Sequence, residues 1–265
     1  LMVIGKAVQI TDRDARSINC FQHTVNDPVA GTKRVFSVVR PGWTTANTPA
    51  AGSIGTAILV WTGNSHGTGV ITAFGGTNST LYNGVTSLGA ITGKATGITE
   101  TVVGTTATLV ISSTDNTGWY YDVGTGACTK IADGDFPGNA GKTLAGPLVP
   151  IDGYAVIMDT TGTLWASDLN SVTAWTATSF GASNSYPDKG VGLVRYKELI
   201  MAFGTESIEF WQNAGLTPFP FAKAGTPLKV GAVSADAIAQ ISDTTFWCGS
   251  TPQGGLTIFQ YDWQI

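Results

Sequence analysis

An apolar–aromatic pair recurs at nearly regular intervals along the chain, and this recurrence constrains the fold more than any other feature. The second residues of the five pairs are 38, 45, 46 and 48 residues apart. Each pair follows a short apolar segment and a polar turn, which is the pattern of two strands joined as a hairpin. The pairs are Leu81-Tyr82, Trp119-Tyr120, Leu164-Trp165, Phe210-Trp211 and Ile258-Phe259.

The apolar segments before these pairs predict a second strand in each repeating unit. They cover residues 71–74, 108–111, 155–158, 199–203 and 245–247. A period of about 40 to 50 residues with four strands per unit is typical of a propeller blade. We therefore expect an all-β, β-propeller-like fold with roughly four-stranded blades. The alternative is a sandwich or barrel with many hairpins, since the intervals are unequal.

Residues 1–50 do not follow the period, although strand-like segments occur at 17–21 and 34–43. We expect this N-terminal segment to complete the propeller, either by lending strands to the first blade or by closing the ring. The blades would then occupy 51–265, with an inserted or divergent region near 51–140. The strand-like pattern at the last residues predicts a natural chain longer than 265 residues. The best helical candidate, 234–240, is expected to be a strand or one helical turn.

The composition favours β structure and argues against tight DNA binding. Charged residues make up 12% of the chain, about half of the usual 25%, and the 34 glycines suit a turn-rich fold. The net charge is −4 and the pI is about 5.0. A nucleic-acid binder would show a basic face, but the densest basic run is Lys33-Arg34. No apolar run approaches the roughly 18 residues that span a bilayer.

Residue types that carry chemistry are sparse and scattered. The cysteines at 20, 128 and 248 have no metal-site or redox-motif spacing, so free buried thiols and assembly in a reducing cytoplasm are expected. His23 and His66 have no partner at metal-ligand spacing. Gly141-Lys142-Thr143 lacks the glycine spacing of a phosphate-binding loop. We expect no catalytic residue, no cofactor and no metal.

The carboxylates leave one alternative function open. Residues 113–119, Ser-Thr-Asp-Asn-Thr-Gly-Trp, are similar to the Asp-box turn of sialidases, although the glycine is displaced. Such turns are structural and remote from the active site. The charged cluster at 12–16 is expected to be a solvated loop. The alternative is a propeller-type glycan-binding or glycan-hydrolysing protein, which would need a carboxylate pair across a central pocket.

Residues 186–249 carry the motifs of a known family. An aromatic-Gly strand end, Phe203-Gly204, precedes Glu206-Ser207-Ile208-Glu209-Phe210-Trp211, an Asn213-Ala214-Gly215 turn and Pro218-Phe219-Pro220-Phe221. This order resembles the packaged-DNA stabilisation proteins of short-tailed bacteriophages, which form the tail hub or nozzle. The resemblance is clearest over about 145–265, suggestive over about 9–43 and poor over 51–140.

The resemblance implies a structural virion protein of the phage tail, assembled in the host cytoplasm. Six copies would form a homo-hexameric nozzle below the portal and its adaptor protein. The ring would retain packaged DNA, carry a tail fibre or spike protein, contact a tail needle or plug, and conduct genomic DNA at ejection without sequence-specific binding. The expected core residues of the motif are Ile208, Phe210, Trp211, Phe219, Phe221 and Trp247. Arg195, Glu206 and Glu209 are expected to make turn and inter-blade contacts or subunit-interface contacts.

Overall fold

The computed structural model describes residues 20–26, 33–39, 55–61, 69–104, 106–241, 244–250 and 255–262. The chain divides into two units, Leu1–Ala46 and Asn47–Ile265. In the first unit, β1 (Cys20–Asn26) and β2 (Lys33–Val39) pair as an antiparallel hairpin. The charged cluster at 12–16 and the turn around His66 lie outside the described residues.

The second unit consists of five successive antiparallel sheets, the first to fifth blades, arranged as a β-propeller. The first blade contains β3 (Gly55–Trp61), β4 (Gly69–Gly75), β5 (Ser79–Asn83) and β6 (Thr86–Ile91). The second contains β7 (Ala95–Val103), β8 (Thr106–Ser113), β9 (Gly118–Asp122) and β10 (Ala127–Lys130). The third contains β11 (Leu144–Ile151), β12 (Tyr154–Asp159), β13 (Thr163–Ser167) and β14 (Trp175–Ala182). The fourth contains β15 (Gly190–Tyr196), β16 (Leu199–Gly204), β17 (Ile208–Asn213) and β18 (Phe221–Lys223), and the fifth contains β19 (Ile238–Ile241), β20 (Thr244–Ser250) and β21 (Leu256–Tyr261).

The repeat predicted from the sequence is confirmed. All five apolar–aromatic pairs lie on the third strand of a blade, and the five apolar segments lie on the second strands. Four blades have four strands, and the fifth has three among its described residues. The helix found in the described part of the chain is a 3₁₀ turn, Ala235–Ala237, before β19. None of the described segments forms a helix long and apolar enough to cross a membrane.

Hydrophobic clusters lie between successive blades. The first and second blades share Ile71, Leu81 and Leu109, and the second and third share Val110, Phe136 and Ile157. The third and fourth share Val156, Ile200 and Trp211, and the fourth and fifth share Phe203, Phe210 and Trp247. The described residues therefore form four inter-blade cores. No such cluster among them joins the fifth blade to the first.

The second strands of the middle blades contribute to two cores at once. Successive residues of a strand point to opposite faces of its sheet. In β12, Ala155 and Ile157 pack toward the second blade, and Val156 and Met158 pack toward the fourth. Burying each large side chain stabilises the fold by about 1.5–3 kcal/mol. Burial on both faces explains why these segments are apolar runs without alternation.

Small residues allow the inner strands, which are the first strands of the blades, to approach one another closely. β3 contacts β7, β7 contacts β11, and β11 contacts β15. A methyl group added to Gly97 would lie 2.4 Å from Pro147 Cβ, and one added to Gly146 would lie 3.0 Å from Gly192 Cα. Gly146 also has a φ of 77°, which favours glycine. Larger side chains here would push the inner strands apart.

Candidate functional site

The same backbone hydrogen bond recurs at one end of three blades, which we call the connector edge. There, the turn between the second and third strands meets the residue that precedes the inner strand of the same blade. Thr114 N donates to Lys94 O at 2.9 Å in the second blade, and Thr160 N donates to Thr143 O at 2.9 Å in the third. Thr205 N donates to Lys189 O at 3.0 Å in the fourth.

The connector edge also joins each blade to the next. Leu144 N, at the start of the third blade, donates to Asn116 Oδ1 of the second blade at 2.9 Å. Gly190 N donates to Thr160 O at 3.2 Å, and Ala232 N donates to Gly204 O at 3.0 Å. Hydrogen bonds from the polar groups of the turns therefore hold neighbouring blades together.

Aspartates order the turns of this edge. Asp159 is 2% exposed, and its Oδ1 accepts from Thr161 N at 2.8 Å and from Thr163 N at 3.1 Å. Its Oδ2 accepts from Trp165 Nε1 at 3.1 Å. The carboxylate therefore holds in place the aromatic residue of the predicted pair Leu164-Trp165 in the third blade. In the fourth blade, Asp188 Oδ2 accepts from Ser207 N at 2.9 Å and from Ser207 Oγ at 3.0 Å.

The Asp-box-like turn of the second blade uses its carboxylate in the same way. Asp115 accepts hydrogen bonds from Ser113 Oγ, from Thr117 Oγ1 at 2.6 Å and from Thr92 Oγ1 at 2.5 Å. Burial opposes ionisation of Asp115, but these hydrogen bonds outweigh it and lower the pKa to about 2. Trp119 Nε1 donates to Thr117 Oγ1 at 2.8 Å. Asp115 therefore acts as a structural acceptor within the turn.

The family-like motif builds the core between the third and fourth blades and that between the fourth and fifth. The six motif residues are all at most 8% exposed: Ile208, Phe210, Trp211, Phe219, Phe221 and Trp247. The Trp211 and Phe219 rings meet edge to face, with centroids 5.9 Å apart. Gly181 of the third blade permits this approach, because a methyl group there would lie 2.5 Å from Phe219. The motif therefore encodes packing between blades.

Glu209 is buried in an ion pair within the chain. It is 2% exposed, and its Oε2 lies 3.1 Å from Lys223 Nζ. Its Oε1 accepts from Ser185 N at 2.6 Å. Lys223 Nζ also donates to Asn184 Oδ1 at 2.8 Å and lies 5.5 Å from the Trp211 ring centroid. Glu209 thus connects β17 to the segment entering the fourth blade and presents almost no surface to a partner.

The structure separates the three charged residues predicted as contact residues. Arg195 is exposed at the end of β15, where its Nε donates to Lys197 O at 3.0 Å. Glu206 is exposed in the turn after β16, at the opposite end of the blade. Glu209 lies between these ends and is buried. A role of Arg195, Glu206 or Glu209 in subunit contacts stays a prediction.

Arg195 borders a cleft at the end of the propeller opposite the connector edge. The cleft has a volume of about 370 Å³ and lies where the inner strands of the second, third and fourth blades end. Glu100 and Asp152 also line it, and Asp152 Oδ2 accepts from Asn213 Nδ2 at 3.1 Å. The cleft carries charges of both signs.

The described residues contain no group of three or more His, Cys, Asp or Glu side chains placed to hold a metal ion. Cys128 and Cys248 are free, half-buried thiols. Burial raises the pKa of Cys128 to about 11, which disfavours the reactive thiolate.

Two sequence signals of this arrangement were missed. Pairs of small residues begin the first four inner strands and precede the fifth: Gly55 and Ala57, Ala95 and Gly97, Ala145 and Gly146, Gly190 and Gly192, and Ala235 and Ala237. They recur with the period of the aromatic pairs and mark where blades meet at the centre. Aspartates beside the turns of the connector edge are the second signal.

The fold and the contacts of the connector edge define a β-propeller whose recurrent polar residues hold its own blades together. Residues 42–263 match the family model described as the β-propeller of bacteriophage P22 Gp10, the phage stabilisation family. The chain belongs to this family of phage tail structural proteins, and the family places it among the components of the virion. No curated protein matches the chain.

The chain is also similar to solved structures of low sequence identity, and the first of those described below bears on the fold alone. A chain in a structure of Chaetomium thermophilum Polycomb Repressive Complex 2 has a TM-score of 0.51 and 10% identity, with 92% of this chain and 61% of that chain covered. BamB from Moraxella catarrhalis has a TM-score of 0.45 and 14% identity, with 78% and 66% covered. BBS1N in complex with ARL6DN has a TM-score of 0.47 and 10% identity, with 85% and 71% covered. This chain spans less than two thirds of the length of the first two.

Proposed function

We propose that this chain is a subunit of a tail nozzle, in which six copies form a ring below the portal and its adaptor protein. The observation that carries the proposal is the family match over residues 42–263. The ring retains packaged DNA in the capsid and conducts it outward at ejection. It also carries the tail fibre or spike and meets the needle or plug, and it is assembled in the host cytoplasm.

The rigidity of the subunit suits this role. Four inter-blade cores and the hydrogen bonds of the connector edge fix the blades relative to one another. A wall under the load of packaged DNA must keep its shape, and packed interiors resist deformation. The proposed mechanism is therefore geometric, without catalysis: the blades build the wall, and the loops at both ends make the contacts.

The charge of the chain suits DNA passage. Binding to DNA strengthens with the number of phosphate contacts made by Lys and Arg. The chain has 14 Lys and Arg against 18 Asp and Glu. A surface of this composition offers few sites at which moving DNA would be held. A low content of charged groups also reduces the cost of desolvating subunit interfaces.

The test is the structure of the virion in which the chain occurs. We expect a reconstruction to show this propeller in the axial tail, in six copies, next to the portal adaptor. Particles assembled without the protein should package DNA and then lose it. A position outside the axial tail, or a copy number other than six, would contradict the proposal.

A further inference from the structure

A groove opens between the second and third blades at the end of the propeller opposite the connector edge. Its volume is about 350 Å³, which lies within the roughly 300–1,000 Å³ of small-ligand sites. Both blades contribute side chains to its walls. They include Thr106, Thr108, Tyr120 and Asp122 of the second blade and Val172 and Thr173 of the third. The groove is therefore large enough for a small molecule or for one unit of a polymer.

One core position of the second blade is occupied by a smaller residue than in the two blades that follow. Thr108, Tyr154 and Leu199 occupy the same position of β8, β12 and β16, four residues before the last residue that pairs with the third strand. In the third blade, the Tyr154 ring packs edge to face on Phe221, with centroids 5.6 Å apart. In the fourth blade, Leu199 packs against the core shared with the fifth. Thr108 leaves the corresponding space open.

The groove presents hydrogen-bonding groups that the described residues do not use. Thr108 is 3% exposed, and its hydroxyl donates to Thr106 O at 3.4 Å, which is long for a hydrogen bond of this kind. Asp122 Oδ1 accepts from Gly124 N at 2.7 Å. Asp122 Oδ2 and the Tyr120 hydroxyl have no hydrogen-bond partner in the described part of the chain. Buried polar groups are normally paired, so these groups favour a polar ligand over an apolar one.

The residue types in the groove narrow the class of ligand. Its described lining contains no Lys, Arg or His, which disfavours phosphates and other anions, and the described residues contain no group of acidic, His or Cys side chains placed to hold a metal ion. Threonine hydroxyls donate and accept, and the Asp122 carboxylate accepts. Val172 and the Tyr120 ring offer apolar surface. A neutral pyranose presents hydroxyls around its rim and C–H groups on its faces, so it matches both kinds of surface.

We propose that this groove binds a neutral pyranose sugar, either free or as a unit of a polysaccharide. Asp122 and the threonine hydroxyls bond the hydroxyl groups of the sugar, and Val172 and Tyr120 contact its C–H groups. Binding occurs without hydrolysis, because the described lining supplies one carboxylate where glycosidases use two. The inference goes beyond the proposed tail function and does not depend on the number of copies in the ring.

Saturation-transfer NMR with the full chain tests the proposal. The probes are the methyl glycosides of glucose, galactose, rhamnose and N-acetylglucosamine at millimolar concentration, followed by a tetrasaccharide of the sugar that binds. Thr108→Leu introduces the residue that the fourth blade has at this position, so it should fill the groove and leave the fold intact. Thr178→Leu makes the same change at an exposed position of β14 and is the matched control. Asp122→Asn keeps an oxygen for the Gly124 amide and replaces Oδ2 with a donor.

We expect at least one methyl glycoside to bind the parent and Thr178→Leu equally, and to bind Thr108→Leu and Asp122→Asn at least tenfold more weakly. Tighter binding of the tetrasaccharide identifies a polysaccharide as the ligand, and equal binding identifies a single sugar. Absence of binding by every glycoside, or equal binding by the parent and a folded Thr108→Leu, would overturn the proposal. If melting curves show that Thr108→Leu does not fold, Asp122→Asn decides the matter, and unchanged binding by that variant would overturn the proposal.

Discussion

The middle blades and the end blades of this propeller are built from similar strands but differ in burial. In the third and fourth blades, the second strand contributes side chains to a core on each side, as Met201 and Ala202 do in β16. In the first blade, Ala73 is fully buried whereas Val70 on the opposite face of β4 is 43% exposed. The difference shows that a blade is half of two cores, so its stability depends on both neighbours.

The largest expected effect tests the core between the third and fourth blades. Trp211→Ala should lower the free energy of unfolding by about 3–5 kcal/mol, because it removes a 4% exposed indole that packs against Phe219. Urea denaturation of the purified variant measures the change. Val85→Ala is the exposed control and should stay within about 0.5 kcal/mol of the parent. An unchanged midpoint for Trp211→Ala would show that this core does not bear on stability.

A smaller effect is expected where the inner strands of the third and fourth blades meet. Gly146→Ala should destabilise the protein by about 1–3 kcal/mol, because alanine is strained at a φ of 77° and its methyl would lie 3.0 Å from Gly192 Cα. Gly84→Ala in the first blade is the matched control, with a φ of 60° and open space around the added methyl. Equal costs for the two substitutions would mean that the inner contact adds nothing to the backbone strain.

Amide hydrogen exchange compares third strands directly. β17 pairs with a strand on each side, whereas β21 pairs only with β20 among the described residues. Hydrogen-bonded amides of β17 should exchange at least tenfold more slowly than those of β21, a difference of about 1.4 kcal/mol in opening free energy. Comparable protection would indicate that the fifth blade is as well supported as the fourth.

Protonation of Asp115 in the turn of the second blade should destabilise the protein. It should do so at a lower pH than protonation of an aspartate with an ordinary pKa. The pKa of Asp115 is lowered from 3.8 to about 2, so its contribution to stability is present above pH 3.8 and is lost as the pH falls through 2. Urea denaturation between pH 5 and pH 2 should show a loss that Asp115→Asn reduces. If the variant and the parent have parallel pH profiles, the turn carboxylate is not coupled to folding.

The smallest expected signal reports on the contact between the first and second blades. Cys128 packs in the core shared by these blades, and burial raises its pKa to about 11. Little thiolate exists at pH 7.5, so iodoacetamide should label Cys128 much more slowly in the folded protein than in urea. Peptide mapping identifies the labelled cysteine. Rapid labelling of Cys128 in the folded protein would show that the first blade opens readily.

Sequence periodicity predicted the blades because their hairpins are local. Trp119, Trp165 and Trp211 lie on third strands, close in sequence to the turns that join these strands to the second strands. The repeat is therefore visible in the order of residues along the chain. The pairs of small residues at the inner strands recur along the chain too, but the sequence does not say what each pair contacts. The close approach of Gly146 to Gly192 becomes visible only when two sheets meet.

The charged candidates were harder to predict for a related reason. Glu209 follows Glu206 by three residues in the sequence, yet only Glu206 is exposed. The burial of Glu209 depends on Lys223 and on the amide of Ser185, which reach it from β18 and from the connector before β15. Charge alone predicts a solvent-exposed side chain, and the compensating partners are visible only after folding.

Sharing each core between two blades also affects how the chain folds during synthesis. The ribosome adds roughly 5–20 residues per second, so a blade of about 45 residues takes roughly 2–9 s to emerge. Until then, the previous blade exposes an apolar face, as Met201 and Phe203 do before the fifth blade is complete. At every stage of translation, the last completed blade therefore exposes an apolar face that can associate with another nascent chain. The rate of elongation determines how long each face remains exposed.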